Sequence, residues 1–204
     1  MLEYHGITNL GVLLRDGVIQ PLPKRPWIEK GEESDISDFL TLPDMSKWTI
    51  GNLESDEQDK LKWHVIKNGY KKILICDRVI LINISIDTLH EHGLVYGEKI
   101  INISSALPHS KLRLMMNGSE KLDPDEFNIP EIDEVIKNNS NKSELKKWLY
   151  IYSWCQKLPN MFSQPRSTYS FNGYGENLGY FNCPPAYSSI DIGWRPVLEF
   201  HEKI

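Results

Sequence analysis

The segment from Ser188 to Phe200 constrains the fold of this chain more than any other stretch. Gly193 permits a close backbone approach that a side chain would block, because glycine has no Cβ. Pro196 has no backbone N–H and cannot donate to a β-ladder, so a strand over Pro196 to Phe200 is predicted to start at or next to it. Its apolar residues, together with Trp194, predict that this last strand is paired inside a sheet and that the Trp194 ring is buried.

Further strands are predicted earlier in the chain. Arg15-Asp16-Gly17 lies between two apolar runs and is typical of a β-hairpin turn. A second hairpin is predicted over Ile73 to Ile86, where Asp77-Arg78 interrupts two runs rich in β-branched residues. Strands are also expected over Glu98 to Ile103 and over Lys111 to Met116. The middle of the chain is therefore predicted to be a mixed sheet.

Three helices are predicted. A short helix over Asp87 to His92 would have Asp87 as its N-cap and Gly93 as its terminator. Another runs from Pro130 to about Asn139, with acidic residues in its first turn. A third begins at Ser143, because apolar residues recur there at helical spacing: Leu145, Trp148, Leu149, Tyr152 and Cys155.

These elements predict an α+β fold, a mixed sheet with short helices and a loop-rich C-terminal region. A chain of 204 residues is long enough for one large domain or two small ones. The predicted division is residues 1–60, an N-terminal hairpin with an acidic loop region, and residues 61–204, an α+β domain with aromatic C-terminal loops. One continuous domain is the alternative.

Charge is distributed unevenly along the chain. Residues 29–59 hold ten acidic side chains and two lysines, whereas residues 60–72 hold five lysines and no acid. The acidic stretch is interpreted either as a solvated loop region or as a surface that meets a basic partner. On the second interpretation the candidate binding residues are Glu32, Glu33, Asp35 and Asp38. The net charge of −5 argues against direct binding of nucleic acid.

Aromatic residues are concentrated near the C-terminus. Thirteen of the 21 Phe, Trp and Tyr residues lie between Trp148 and Ile204, among glycines and prolines. They fill the core of a long-looped region, or several of them form an exposed and rigid recognition surface. The second reading gives as candidate binding residues Tyr169, Phe171, Tyr174, Tyr180 and Phe181.

Residue patterns for catalysis and metal binding are missing from the sequence. The three cysteines, Cys76, Cys155 and Cys183, have neither disulfide-framework nor zinc-finger spacing, and Cys76 is predicted to be a buried, reduced thiol. His90 and His92 stand two positions apart, which places them on different faces of a helix. We therefore expect no enzyme activity, no metal and no cofactor. The N-terminus carries no signal-peptide pattern and no run has membrane-span length, so a cytoplasmic protein without membrane contact is predicted.

The ending Gly193-Trp194-Arg195-Pro196-Val197-Leu198 resembles the C-termini of small proteins from Firmicutes and their prophages. Some of these are similar to the group of C-type-lectin and formylglycine-generating-enzyme folds. Residues 150–156 and residues 81–103 agree with that resemblance. It implies a lectin-like C-terminal region with its ligand-binding loops at residues 160–187. The reactive cysteine pair of formylglycine-generating enzymes has no counterpart close to Cys183, which implies a non-catalytic derivative.

Two functions of different classes follow as expectations. The first is a protein-binding module of phage or prophage type that occludes or recruits a host or phage protein, and so acts as an inhibitor. The alternative is a glycan-binding, lectin-like module whose tyrosine and tryptophan rings stack on sugars. A hydrolase or oxidase built from scattered residues is a third reading. The partner, the ligand and the oligomeric state are not encoded in any motif of the sequence.

Overall fold

The computed structural model describes residues 3–24, 44–104, 107, 109–115, 152–156, 168–171, 178–179, 184–189 and 192–201. This part of the chain is mostly β-sheet with almost no helix, and it forms one eight-stranded and one five-stranded sheet. The predicted sheet is thus confirmed at the level of a β-rich fold. The predicted helix over residues 130–139 lies outside the described residues.

The strands, in chain order, are β1 (Glu3–Arg15), β2 (Val18–Ile19), β3 (Trp48–Gly51), β4 (Lys60–Asn68), β5 (Lys71–Cys76), β6 (Leu81–Ile82), β7 (Tyr96–Ile101), β8 (Ser110–Arg113), β9 (Tyr152–Trp154), β10 (Thr168–Phe171), β11 (Leu178–Gly179), β12 (Ile192–Trp194) and β13 (Val197–His201). The helix α1 (Ile86–Glu91) lies between β6 and β7. Short 3-10 turns over Met45–Lys47 and Glu57–Asp59 lead into β3 and β4.

The larger sheet has the order β2-β1-β4-β5-β13-β8-β7, and β3 also pairs with β1. The Asp16-Gly17 hairpin between β1 and β2 is confirmed, with both residues at positive φ. The last strand is confirmed as well, because β13 pairs antiparallel with β5 on one side and with β8 on the other. Since β1 pairs with β4, main-chain hydrogen bonds connect the chain before and after residue 60 within one sheet.

The smaller sheet has the order β11-β10-β9-β12-β6. Strands β12 and β9 are parallel and the other pairs are antiparallel, so this sheet is mixed. Strands β10 and β11 pair with each other, with Phe171 opposite Leu178.

One continuous hydrophobic cluster includes side chains from both sheets. Trp63 contributes from the larger sheet, and Trp154 and Trp194 contribute from the smaller one; all three are almost completely buried. The Trp63 indole N–H donates to the Leu10 carbonyl at 2.7 Å, and that of Trp154 donates to the Ile84 carbonyl at 2.6 Å. These bonds satisfy polar groups whose burial would otherwise cost free energy. The prediction that Trp194 is buried is confirmed.

The hairpin predicted around Asp77-Arg78 is wrong. Strand β5 belongs to the larger sheet and β6 to the smaller one, so the chain between them crosses from sheet to sheet instead of turning back. Both side chains are buried, whereas hairpin turns normally lie in solvent. A charged pair between two apolar runs looks the same in the sequence in either case.

The helix predicted after Ile86 is confirmed, but its N-cap is Ser85 and not Asp87. The Ser85 hydroxyl accepts a hydrogen bond from the Thr88 backbone N–H at 3.1 Å, and Asp87 lies in the first turn. Gly93 follows the helix at a φ of +69°, as predicted for its terminator. The helix predicted from Ser143 does not extend through Tyr152, which begins β9, and its earlier residues lie outside the described ranges.

Candidate functional site

Two chain crossings lie side by side where the sheets meet. Residues 77–80 connect β5 to β6, and Arg195-Pro196 connects β12 to β13. The Cys76 N–H donates to the Pro196 carbonyl at 3.0 Å, and the Ile80 N–H donates to the Trp194 carbonyl at 3.0 Å. The C-terminal segment from Trp194 to Pro196 is therefore one half of this double crossing.

Gly193 is required by the closeness of the two crossings. A Cβ placed at this residue would lie 2.2 Å from the Leu81 carbonyl oxygen and 2.4 Å from Cγ1 of Val79. The first neighbour is backbone and cannot move aside without breaking the pairing of Gly193 with Ile82. The glycine in the C-terminal motif thus serves sheet packing.

Arg195 is completely buried at this crossing. Its Nε donates to the Ser153 hydroxyl at 2.9 Å, and its Nη1 donates to the Cys76 carbonyl at 3.0 Å. Burial lowers the pKa of the guanidinium to about 10, although the nearby Cys76 and Asp77 act in the opposite direction. The side chain therefore stays charged at neutral pH and joins β5, β9 and β13.

Asp77 and Arg78 add a second arginine and one carboxylate. Arg78 binds Asp77 through two hydrogen bonds, Nε to Oδ1 at 2.8 Å and Nη2 to Oδ2 at 3.0 Å. Its remaining terminal nitrogen, Nη1, donates to the Pro23 carbonyl. We call Asp77, Arg78, Ser153 and Arg195 the sheet junction; all four side chains are buried.

Two buried thiols, Cys76 and Cys155, lie next to the junction. Burial, and to a smaller extent the charge of Asp77, raises the pKa of Cys76 to about 12. Cys155 is also buried, and its Sγ lies 3.6 Å from the Ser153 carbonyl. Since the thiolate is the nucleophilic form, Cys76 is unreactive at neutral pH. This confirms the prediction of a buried, reduced Cys76, whereas Cys183 lies outside the described residues.

A second charged cluster lies on the larger sheet. Glu199 on β13 accepts from Nζ of Lys71 at 2.8 Å and from Nε of Arg113 at 2.8 Å. Burial acts most strongly and raises the pKa of Glu199, but the Lys71 hydrogen bond and the Arg113 charge together hold it below its ordinary value. We call Lys71, Arg113 and Glu199 the Glu199 cluster.

The helix α1 places its histidines in separate environments. Nδ1 of His92 lies 2.8 Å from the Thr88 carbonyl at the end of the helix. The His90 ring meets the Tyr96 ring edge to face, with ring centres 5.8 Å apart. Among the described residues, no group of three or more His, Cys, Asp or Glu side chains is arranged to hold a metal ion. No helix in these ranges is long and apolar enough to cross a membrane.

Most of the binding residues predicted from the sequence lie outside the described ranges: Glu32, Glu33, Asp35, Asp38, Tyr174, Tyr180 and Phe181. Tyr169 and Phe171 lie on β10, the strand between β9 and β11. Their presence on a paired strand leaves both interpretations of the aromatic residues open.

Only the second half of the acidic stretch, residues 44–59, lies within the described ranges. Four of its acidic side chains are exposed to solvent: Asp44, Glu54, Asp56 and Glu57. The Asp44 carboxylate accepts from the Ser46 N–H at 3.1 Å, and Met45 next to it is buried.

Comparison of the chain with known protein families, with curated proteins and with solved structures finds no match.

The sequence does not indicate the sheet junction as a unit. Its patterns predict a turn at Asp77-Arg78 and a helix over Ser153. Two charged residues between apolar runs fit an exposed turn as well as a buried ion pair, so this pattern alone does not distinguish the two.

Proposed function

We propose that this chain is a non-catalytic, protein-binding module of phage or prophage type that occludes or recruits a host protein. The observation that carries the proposal is the acidic stretch of residues 29–59, whose described acids Asp44, Glu54, Asp56 and Glu57 are exposed to solvent. An exposed surface of one charge sign favours a partner of the opposite sign.

The sheet junction supports a structural role for the C-terminal motif Gly193-Trp194-Arg195-Pro196. Arg195, Asp77 and Ser153 are committed to internal contacts and are closed to solvent. An enzyme would instead need its perturbed charged groups in a cleft open to substrate. The resemblance of the C-terminal ending to small prophage proteins supports the phage-type assignment, and a lectin-like arrangement of residues 160–187 belongs to the same proposal.

The expected binding mode is electrostatic steering followed by apolar anchoring. Glu32, Glu33, Asp35 and Asp38 would attract a basic surface, which raises the association rate. Rings such as Phe171 and Tyr174 would then anchor the complex, which lowers the dissociation rate. The partner class is a protein with a basic surface, for instance one that itself binds nucleic acid.

The test starts with capture of partners from host lysate on the immobilised protein, followed by binding kinetics with the purified partner. A variant with Glu32→Gln, Glu33→Gln, Asp35→Asn and Asp38→Asn should associate about tenfold more slowly or worse, with little change in dissociation. The matched control changes four exposed acids of the described core by the same charge: Glu3, Asp16, Asp87 and Glu91.

The control variant should associate at close to the wild-type rate, because it keeps Glu32, Glu33, Asp35 and Asp38. Equal slowing in both variants would mean that only net charge matters and would reject the acidic segment as a binding surface. Specific retention on a glycan array, without any protein partner, would replace the proposal by the glycan-binding alternative.

A further inference from the structure

One long strand of the larger sheet has an open side. Over residues 12–15, β1 pairs with β3, and the last two of these residues also pair with β2. Over residues 3–9 it pairs with β4 alone in the described part of the chain, so its other side has no neighbouring strand there. The Ile7 side chain is 44% exposed, and a Cβ at Gly6 would meet nothing within 4 Å. We call residues 5–9 the open edge.

The other end of this sheet, at β7, is closed to a further strand by its own chain. The Tyr96 N–H donates to a carboxylate oxygen of Glu98 at 3.3 Å, and the Lys99 N–H donates to the Gly93 carbonyl at 3.0 Å. In the described part of the chain, the main-chain groups of the open edge make no hydrogen bond beyond the pairing with β4. Unused main-chain groups at a sheet edge are a template for another strand, so the open edge is the better site for one.

The open edge ends beside an acidic turn. Nδ2 of Asn9 donates to Oε2 of Glu57 at 3.1 Å, which ties this turn to β1. Glu3, before the open edge, is in register with Lys67, so opposite charges balance there. The turn itself holds four acidic residues: Glu54, Asp56, Glu57 and Asp59. Strand β4 places only two lysines in register with this part of β1: Lys60 and Lys62. The surplus beside the open edge is therefore negative.

We propose that the open edge binds an extended, basic segment of the protein partner, which adds a strand to the larger sheet next to β1. Main-chain hydrogen bonds would provide the affinity, and the acidic turn would select lysine and arginine side chains. A second copy of β1 fits less well, because residues 3–9 contain no lysine or arginine to meet the turn. This inference rests on the proposed function, from which it takes the basic partner.

The test uses the full chain and a short peptide of alternating lysine and valine with blocked ends. The peptide should bind, and amide hydrogen exchange followed by NMR should slow about tenfold or more within residues 5–9 at saturation. The amides of β7 should exchange as before. The same peptide with proline at its central valines keeps its charge but cannot pair, so it should not bind. A peptide of alternating glutamate and valine should not bind either.

Two matched variants locate the site. Ile7→Lys places a cation on the open edge, which opposes a basic strand, and should raise the dissociation constant of the peptide about tenfold. Ile100→Lys makes the same change on β7, at a side chain that is 48% exposed, and should bind the peptide like the wild type. Equal weakening in both variants, with circular dichroism showing both folded, would mean that only net charge matters and would overturn the site.

A second pair of variants tests the acidic turn. Glu54→Gln with Asp56→Asn should raise the dissociation constant of the peptide about threefold at low salt, since two carboxylates near the bound lysines are lost. Asp87→Asn with Glu91→Gln removes the same charge from exposed positions on α1 and should have little effect. The reverse order would overturn the role of the turn.

The remaining outcomes also decide the proposal. Absence of peptide binding, or binding that leaves exchange within residues 5–9 unchanged, would overturn it. A dimer in sedimentation velocity that Ile7→Lys dissociates would overturn it too, because the open edge would then belong to a second copy. A captured partner whose binding kinetics are the same for Ile7→Lys and the wild type would overturn this site and keep the proposed function. Failure of the wild type to capture any partner would reject the proposed function, whatever the peptide does.

Discussion

The sheet junction and the Glu199 cluster both combine one carboxylate with two cationic side chains, but they differ in their access to solvent. Asp77, Arg78 and Arg195 are buried, whereas the side chains of Lys71 and Glu199 remain 26% and 13% exposed. In the junction each charge depends on the protein for every hydrogen bond. In the Glu199 cluster, water can replace some of the hydrogen bonds that are lost when one partner of the ion pair is removed.

This difference in solvent access indicates which charged groups contribute most to the stability of the fold. Removing one partner of a buried charged group leaves the other without compensation, and this is far more costly than the same loss near the surface. The junction also joins two sheets, while the Glu199 cluster joins neighbouring strands of one sheet that main-chain hydrogen bonds already connect. We therefore expect substitutions in the junction to affect the whole fold.

The largest effect is predicted for Gly193→Ala. Its new Cβ would meet the Leu81 carbonyl and Val79, so we expect a loss of about 3 kcal/mol or more, at the upper end for overpacking, or no folded protein. The control is Gly69→Ala, where a Cβ would meet nothing within 4 Å and only the left-handed backbone, at about 1–2 kcal/mol, opposes the change. Denaturant unfolding that ranks Gly193→Ala no worse than Gly69→Ala would contradict the double crossing.

A loss of similar size is predicted in the contrast between two buried arginines. Arg195→Met should lower the free energy of unfolding by about 3–5 kcal/mol, because Ser153, the Cys76 carbonyl and Asp77 lose a charged neighbour in a closed site. Arg113→Met should cost about 1–3 kcal/mol, since Glu199 keeps Lys71 and some contact with water.

Equal losses for the two arginine variants in urea or guanidinium unfolding would remove the distinction between the clusters. A larger loss for Arg113→Met would reverse it. Both variants keep a long side chain of similar volume, so the comparison isolates charge and hydrogen bonding from packing.

The sequence predicted the local features of this fold better than its connections. The Asp16-Gly17 hairpin and the Gly93 helix end follow from backbone preferences of the residues at those positions, and the buried Trp194 follows from apolar area. The crossing at Asp77-Arg78 depends on Pro23, Ser153 and Arg195, which are distant in the chain. No local pattern indicates that these residues meet.

The candidate binding residues could be chosen from composition but not located by it. Acidic and aromatic enrichment identified Glu32 to Asp38 and Tyr169 to Phe181, yet composition does not distinguish a core ring from an exposed one. The lysines of β4 and β5 show the same limit. The sequence has five lysines between residues 60 and 72, but only the register of β4 and β5 shows that Lys67, Lys71 and Lys72 lie next to the loop that joins these strands.

The smallest effect is predicted for the pH dependence of the Glu199 cluster. The pKa of Glu199 in the folded chain lies below its ordinary value of 4.5, so as the pH falls the unfolded chain takes up this proton first. The stability that Glu199 contributes is therefore fully present above about pH 4.5 and is lost as the pH falls through the lower pKa of the folded state.

Glu199→Gln should cost about 1 kcal/mol at neutral pH, as for a partly exposed ion pair, and the difference in unfolding free energy from the wild type should close in acid. Unfolding free energies measured between neutral pH and pH 3 would show this, with the exposed Glu91→Gln as a control for the change in net charge. A gap that stays constant down to pH 3 would mean that Lys71 and Arg113 do not favour the ionised form of Glu199, and the contrast with the sheet junction would then rest on burial alone.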